Sequence, residues 1–194
     1  MDWMDTLHGA GVLSENAVTV AYSYIGPKLT YPIYYDGTIG QAKRHLTKTA
    51  EKINEKYSDI KAYISVNKAL VTQASAAIPI VPLYFAILYK VMKVQGTHEG
   101  CIEQISRLFH EKLFVEKPIT DEQGRIRMDD WELSDEVQDK VMECWKNVTT
   151  ENVAELSDID GYWQDFYQMF GFHLDGVDYA KDVDLEVAIP SLEK

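Results

Sequence analysis

The chain has 194 residues, 46% of them hydrophobic, enough to bury the core of one domain. A formal net charge of −12 and a pI near 4.8 exclude the clustered Lys/Arg footprint of a nucleic-acid binder. The two cysteines, Cys101 and Cys144, make no disulfide framework, and the opening DWMDTLHGAG has too few apolar residues for a secretory signal. The longest apolar run, residues 74–89, carries two prolines and falls short of the ~20 residues of a membrane span, so a cytoplasmic protein is expected.

In chain order, residues 3–7 predict a helical fragment with Trp3, Met4 and Leu7 on one side, followed by a loop over 8–16. That loop contains Gly-x-Gly, but no strand precedes it and no third glycine follows in register, so it fails as a dinucleotide fingerprint. Residues 18–24 are β-branched and aromatic and predict a strand that delivers Tyr24 at its C-terminal end, where open α/β sheets place ligands. Gly26-Pro27 and Tyr31-Pro32 punctuate a loop. Asp36 or Thr38 then caps a helix to about Tyr57 with Ala42, Leu46, Ala50 and Ile53 as its inner stripe.

Residues 62–66 predict a second strand, and 67–75 a loop leading into a segment broken by Pro79 and Pro82. From Leu83 to Gln95 the chain is hydrophobic around most of a helical circumference, which predicts a buried helix ended by Gly96. Thr97 is positioned to cap a helix to about Phe114, with Ile102, Ile105, Leu108, Phe109 and Leu113 at helical spacing. Residues 121–128 predict a turn or short hairpin. Ser134 caps a helix through Asn147 with the stripe Val137, Val141, Met142 and Trp145, and a last helix near 158–170 stops at Gly171. The partly alternating stretch 177–189 predicts an edge strand, and the acidic tail a solvated face.

Tyr34 and Lys43 form the constellation with chemical content. A phenol can polarise or protonate a carbonyl oxygen, while an ammonium can hold a cofactor ribose and keep the phenol from rising in pKa. Nine residues along an ideal helix separate two side chains by about 180°, so the pair cannot share one helix face. Tyr34 is therefore expected in the loop before the helix and Lys43 inside it, where the helix N-terminal dipole favours developing negative charge. Anionic ligands would need a locally positive site, which Lys43, Arg44, Lys61, Lys68, Lys90 and Lys93 can supply. No metal is expected: His98, Glu99 and Cys101 lack a partner pair at zinc spacing, and His110-Glu111 is not H-E-x-x-H. Asp158 and Asp160 mimic only the start of a calcium loop, and G-x-S-x-G is missing.

The segment SYIGPKLTYPIYYDGTIGQAK, residues 23–43, resembles the catalytic segment of the trans-2-enoyl-CoA reductases, the family that includes the FabV-type enoyl-ACP reductases. VNKALVTQASAAIPIVPLY, LYKVMKVQGTHEGCIEQISRLFHEKLF, RIRMDDWEL and GFHLDGVDYAKDVD extend the likeness over nearly the whole chain. The resemblance implies an α/β fold: the C-terminal portion of a Rossmann-like, short-chain-reductase-like architecture with extra helices forming the substrate lid. Residues 1–194 are expected to be one catalytic and substrate-binding region, with the first dinucleotide-binding βαβ unit and the N-terminal NADH-binding half absent. It further implies NADH-dependent reduction of a trans-2-enoyl-CoA or enoyl-ACP. Tyr34 is then the proton donor and oxyanion stabiliser, Lys43 the ribose-binding and tuning residue, and Tyr24 a contact to the substrate carbonyl end. Leu70, Val71 and Thr72 would line the nicotinamide, and Val81, Tyr89 and Tyr162 would shape the acyl pocket.

Two readings follow. One is an enoyl-thioester reductase that works when a separate N-terminal NADH-binding half is supplied. The other is an inactive truncated fragment, at most an acyl-binding or assembly module. Without a first βαβ unit no helix N-terminus receives the pyrophosphate, and a sheet edge is left uncovered.

Overall fold

The computed structural model describes residues 1–186 and 188. Its centre is a parallel three-stranded sheet in the order β1-β2-β3, with β1 at Ala17–Ser23, β2 at Ile60–Val66 and β3 at Ile126–Arg127. β1 and β2 pair from Ala17 opposite Ile60 to Ser23 opposite Val66, so both strands end level. The chain between them forms α2, Thr38–Lys56, completing a βαβ unit. β3 joins only at the far end of β2, Ile126 opposite Ser65 and Arg127 opposite Val66. The 121–128 segment thus contributes a parallel strand rather than a hairpin. Its turn half is present: the Asp121 carboxylate accepts from the Gln123 and Arg125 N–H groups, and Gly124 takes a left-handed φ of 70°.

The remaining elements are helical: α1, Asp2–Gly9; α3, Gln73–Ala76; α4, Val81–Gln95; α5, Cys101–Arg107; α6, Asp135–Asn147; α7, Val153–Leu156; and α8, Ile159–Gln168. α4 is the hydrophobic pillar, with Tyr84, Phe85, Ile87, Leu88, Tyr89 and Met92 buried beneath α6 and α8. Pro82 starts this helix instead of breaking it, because the first turn needs no N–H from that position. Gly96 closes it in a left-handed conformation, with the Thr97 N–H bonded to the Met92 carbonyl. That bond commits Thr97 to ending α4, so it does not cap α5, which begins after extended Gly100. The helical path from α5 continues as a wider π turn over Leu108–Leu113.

Two positions depart from the predicted stripes. Ile102 is 74% exposed because α5 turns Gln104 and Arg107 inward, and Ile102 lies about 200° around from Gln104. Ala42 is exposed because the start of α2 packs on its preceding loop, leaving Leu46, Ala50 and Ile53 to meet the sheet. Neither Asp36 nor Thr38 caps α2, since Gly37 occupies that place without a side-chain bond. Ser134 does cap α6, accepting from the Val137 N–H. The expected strand over 177–189 is turn and irregular backbone through Glu186, and residues 187 and 189 lie outside the described residues. No helix among the described residues is long and apolar enough to cross a membrane.

Buried charge is paired. Arg107 grips both oxygens of Glu99 at 2.7 and 2.8 Å, bonds Asp130 at 2.9 Å, and lies over the Trp131 ring. Asp129, fully buried, is chelated by Arg127. Against Tyr89, the His98 ring sits edge-on at 4.5 Å, and burial with neighbouring Lys68 and Lys93 pushes the imidazole down to about 4.

Two stability predictions follow from this packing. A Cβ at Gly40 would collide with the Tyr35 backbone carbonyl, so Gly40→Ala should destabilise by about 1–3 kcal/mol in urea titrations. His98 binds its proton less readily folded than unfolded, so stability should fall as pH drops from 6.5 towards about 4. His98→Gln should flatten that part of the Tm-against-pH curve.

Candidate active site

Because β1 and β2 end level, the segments leaving Ser23 and Val66 begin side by side at the carboxyl edge of the sheet. The Asn67 N–H extends the ladder one step, bonding the Ser23 carbonyl at 2.8 Å. β3 brings a third segment to the same edge, since Met128 and Asp129 both donate backbone N–H bonds to the Val66 carbonyl. Parallel strands collect their outgoing loops on one side, which makes this edge the natural crevice for a ligand.

Tyr24 is the first residue beyond β1. Its hydroxyl donates to Glu132 Oε1 at 3.1 Å, and its ring meets the Tyr34 ring nearly perpendicularly, centroids 5.2 Å apart. Tyr34 lies in the turns that follow the short 3-10 segment Lys28–Thr30, its N–H bonded to the Thr30 carbonyl. Lys43 lies inside α2. The pair is therefore split between loop and helix, as the nine-residue spacing requires. Burial pushes the Tyr34 phenol up and the Lys43 ammonium down.

Lys43 opens onto a cleft of about 170 Å³ whose lining includes Ser23, Ile25, Tyr35, Arg44, Val66 and Arg125. With Lys43, Arg44, Lys48 and Arg125 in its lining against the single carboxylate of Glu51, the cleft is locally positive in an acidic protein. Tyr35, not Tyr34, lines this cleft. Tyr34 instead faces Tyr24, and no hydrogen bond links its hydroxyl to Lys43 among the described residues.

The 70–72 segment is held from three directions. Leu70 is half-buried beside Tyr22, Asn67 and Gln104. The Val71 N–H donates to the Tyr89 hydroxyl at 3.1 Å. Thr72 is exposed and forms a capping box with Ser75, accepting from the Ser75 N–H while its own N–H donates to Ser75 Oγ. Val81, Tyr89 and Tyr162 lie in the core around α4, so any influence on a ligand runs through the residues they support. Tyr89 supports Val71, and burial drives its phenol far up.

Sequence reasoning missed Glu132 and Tyr84, and took Lys68 only as one of the basic side chains that could face an anionic ligand. Glu132 is fully buried and receives the Tyr24 and Tyr84 hydroxyls and the Ala69 N–H. Lys68 is buried with its ammonium on the Ala69 and Glu99 carbonyls, and burial lowers it to about 8. A usable signal for Glu132 existed: a lone carboxylate between Trp131 and Leu133, inside a segment already singled out.

Comparison with known proteins identifies the family and matches the fold. The description "Trans-2-enoyl-CoA reductase catalytic region" matches residues 1–114, and "Enoyl reductase FAD binding domain" matches 120–183. An enoyl-(acyl-carrier-protein) reductase (NADH) of Cytophaga hutchinsonii is 57% identical across 98% of this chain and 49% of its own length. A trans-2-enoyl-CoA reductase of Euglena gracilis is 54% identical, with 97% and 35% covered. The crystal structure of Clostridium acetobutulicum trans-2-enoyl-CoA reductase in complex with NADH superposes with a TM-score of 0.90 at 53% identity, covering 94% of this chain and 47% of that one. The Treponema denticola trans-2-enoyl-CoA reductase, in complex with NAD, gives 0.90 at 49% identity over 94% of this chain and 46% of its own. The chain spans about half the length of most of these relatives, and about a third of the Euglena protein.

The flavin in the second description finds no match in the side chains. Residues 120–183 are strongly acidic, and their arginines are already engaged, Arg125 by Asp121 and Arg127 by Asp129. The N-terminus of α6, capped by Ser134, carries Asp135 and Glu136 in its first turn, which repels a pyrophosphate. These residues do not fit a flavin dinucleotide. By the match across its first 114 residues, the chain belongs to the trans-2-enoyl-CoA reductase family.

Proposed function

We propose that this chain is the substrate-side, catalytic half of an NADH-dependent reductase of trans-2-enoyl thioesters, the acyl group carried by coenzyme A or by an acyl-carrier protein. The observation that carries this reading is the gathering of Tyr24, Tyr34 and the Lys43 cleft at one carboxyl edge of a parallel sheet. The two matched crystal structures hold NADH or NAD.

When bound, NADH would supply a hydride to the β-carbon of the enoyl thioester. The chain's own residues account for the rest. Negative charge develops on the thioester oxygen, and Tyr34 stabilises it and delivers the proton that balances the hydride. Burial keeps the Tyr34 phenol protonated until that charge appears. Lys43, Arg44 and Lys48 suit a cofactor ribose and its neighbouring phosphate. Leu70, Val71 and Thr72 line the nicotinamide. The Val71 N–H is spent on Tyr89, so its carbonyl is the group left for the carboxamide. Val81, Tyr89 and Tyr162 set the shape of the acyl pocket from behind.

The missing portion is a Rossmann-like NADH-binding half, supplied by a separate segment or chain. Two features support this. A cleft of about 170 Å³ is below the ~300–1,000 Å³ of complete small-molecule sites, and so too small for a dinucleotide. β1 also ends the sheet with Val18 and Tyr22 42% and 49% exposed, whereas parallel sheets are normally covered on both faces. Further strands and helices would cover that edge. We place the reaction in the cytoplasm, where NADH and acyl thioesters meet, with the helices around α4 forming the lid over the substrate.

The chain alone should show no crotonyl-CoA-dependent oxidation of NADH, and mixing it with an NADH-binding half should establish that activity. Turnover by the isolated chain, or none from the mixture, would overturn the assignment. In the assembled enzyme, Tyr34→Phe should lower kcat by about 10²-fold or more while the NADH Kd stays within about twofold. Normal turnover of that variant would remove Tyr34 from its assigned role.

A further inference from the structure

Glu132 is the one buried carboxylate on which both sides of the proposed site converge. Its Oε2 accepts the Ala69 N–H at 2.6 Å, immediately before the Leu70–Thr72 segment. Its Oε1 lies 2.7 Å from the Tyr84 hydroxyl and 3.1 Å from the Tyr24 hydroxyl. The side chain is 0% exposed.

Counting protons assigns the donors. Gln138 Nε2 lies 2.7 Å from the Glu132 backbone carbonyl, which only accepts, so the amide nitrogen must be the group on that side. The second N–H of the same amide points to the Tyr84 hydroxyl at 3.2 Å. Tyr84 accepts there and has its single proton to give to Glu132. The Ala69 N–H can only donate. Two donors are thus fixed on the carboxyl group before Tyr24 is considered. Burial pushes the Glu132 carboxyl up, while these two hydrogen bonds and the neighbouring Lys68 oppose that rise and favour the ionised form. An ionised carboxylate is acceptor-only, so Tyr24 must also donate to it. Its one proton is then spent, and the Tyr24 oxygen has only lone pairs left to offer. Tyr34, edge-on to the Tyr24 ring, has no hydrogen-bond acceptor for its hydroxyl among the described residues and keeps its proton.

We propose that Glu132 is a positioning residue that divides the labour between the two phenols: it accepts the hydrogen bond of the Tyr24 hydroxyl, leaves Tyr34 as the sole proton donor, and anchors the nicotinamide-lining segment through Ala69. Resting on the enoyl-reductase reading, the inference gives Tyr24 a more definite part in it. Tyr24 orients Tyr34 and the substrate end as an acceptor and does not share proton delivery.

The hydrogen-bond assignment is testable without turnover. Carboxyl 13C NMR of the glutamate-labelled wild-type chain should show Glu132 ionised at pH 7, and a protonated Glu132, which would hand its proton to Tyr24, overturns the proposal. In the assembled enzyme, Glu132→Gln presents one acceptor where the carboxylate had two, and should lower kcat for crotonyl-CoA reduction by about 10-fold or more. A double-mutant cycle then separates positioning from general scaffolding. In a Tyr24→Phe background, where there is no phenol hydroxyl to bond, the same substitution should cost several-fold less. An equal cost in both backgrounds overturns the proposal. A wild-type assembly that oxidises no NADH with crotonyl-CoA would count against the reductase reading, while the NMR result still decides the state of Glu132.

Discussion

Everything at the candidate site depends on two parallel strands stopping at the same level. Ser23 and Val66 face each other at the end of the β1–β2 ladder, and β3 pairs only with the last two residues of β2. Three chain segments that are far apart in sequence, carrying Tyr24, Ala69 to Thr72, and Glu132, therefore leave from one edge. Slipping a strand by one residue would invert every side chain it carries and scatter these groups. The buried apolar residues of β2, Ile60, Ala62, Ile64 and Val66, fix the register by preventing that slip.

Buried polar groups then convert a shared edge into a defined site. The DDWE segment is tied down charge by charge: Asp129 by Arg127, Asp130 by Arg107 and Lys112, and Glu132 by three donors. Replacing one partner in such a network leaves an uncompensated charge and costs about 3–5 kcal/mol, whereas a fully satisfied network holds one geometry. The same logic explains why α4 carries tyrosines at 84 and 89 rather than only aliphatic residues. Their rings fill the core, and their hydroxyls reach Glu132 and the Val71 N–H. The pillar that stabilises the fold is also the support behind the Leu70–Thr72 segment.

Among the described residues β1 pairs with β2 on one side only, and its Val18 and Tyr22 are 42% and 49% exposed. The cleft beside Lys43 is lined by Arg44 and Lys48 from α2 and by Gln123 and Arg125 from the otherwise acidic 120–183 segment.

Local signals were enough for much of this. The α/β class came with the family resemblance. The sequence alone determined the β1 and β2 strands, the Ser134 cap, the Gly96 stop, and the separation of Tyr34 from Lys43 onto loop and helix. Each follows from periodicity, capping chemistry or helix geometry within about 20 residues. Tertiary structure alone decided that residues 126–127 add a parallel strand, that Gln104 and Arg107 rather than Ile102 face inward, that Tyr35 rather than Tyr34 lines the Lys43 cleft, and that Glu132 meets Tyr24. These pairings span up to 108 residues and rest on buried hydrogen bonds and charges, whose partners have no fixed sequence spacing and so leave no period to read.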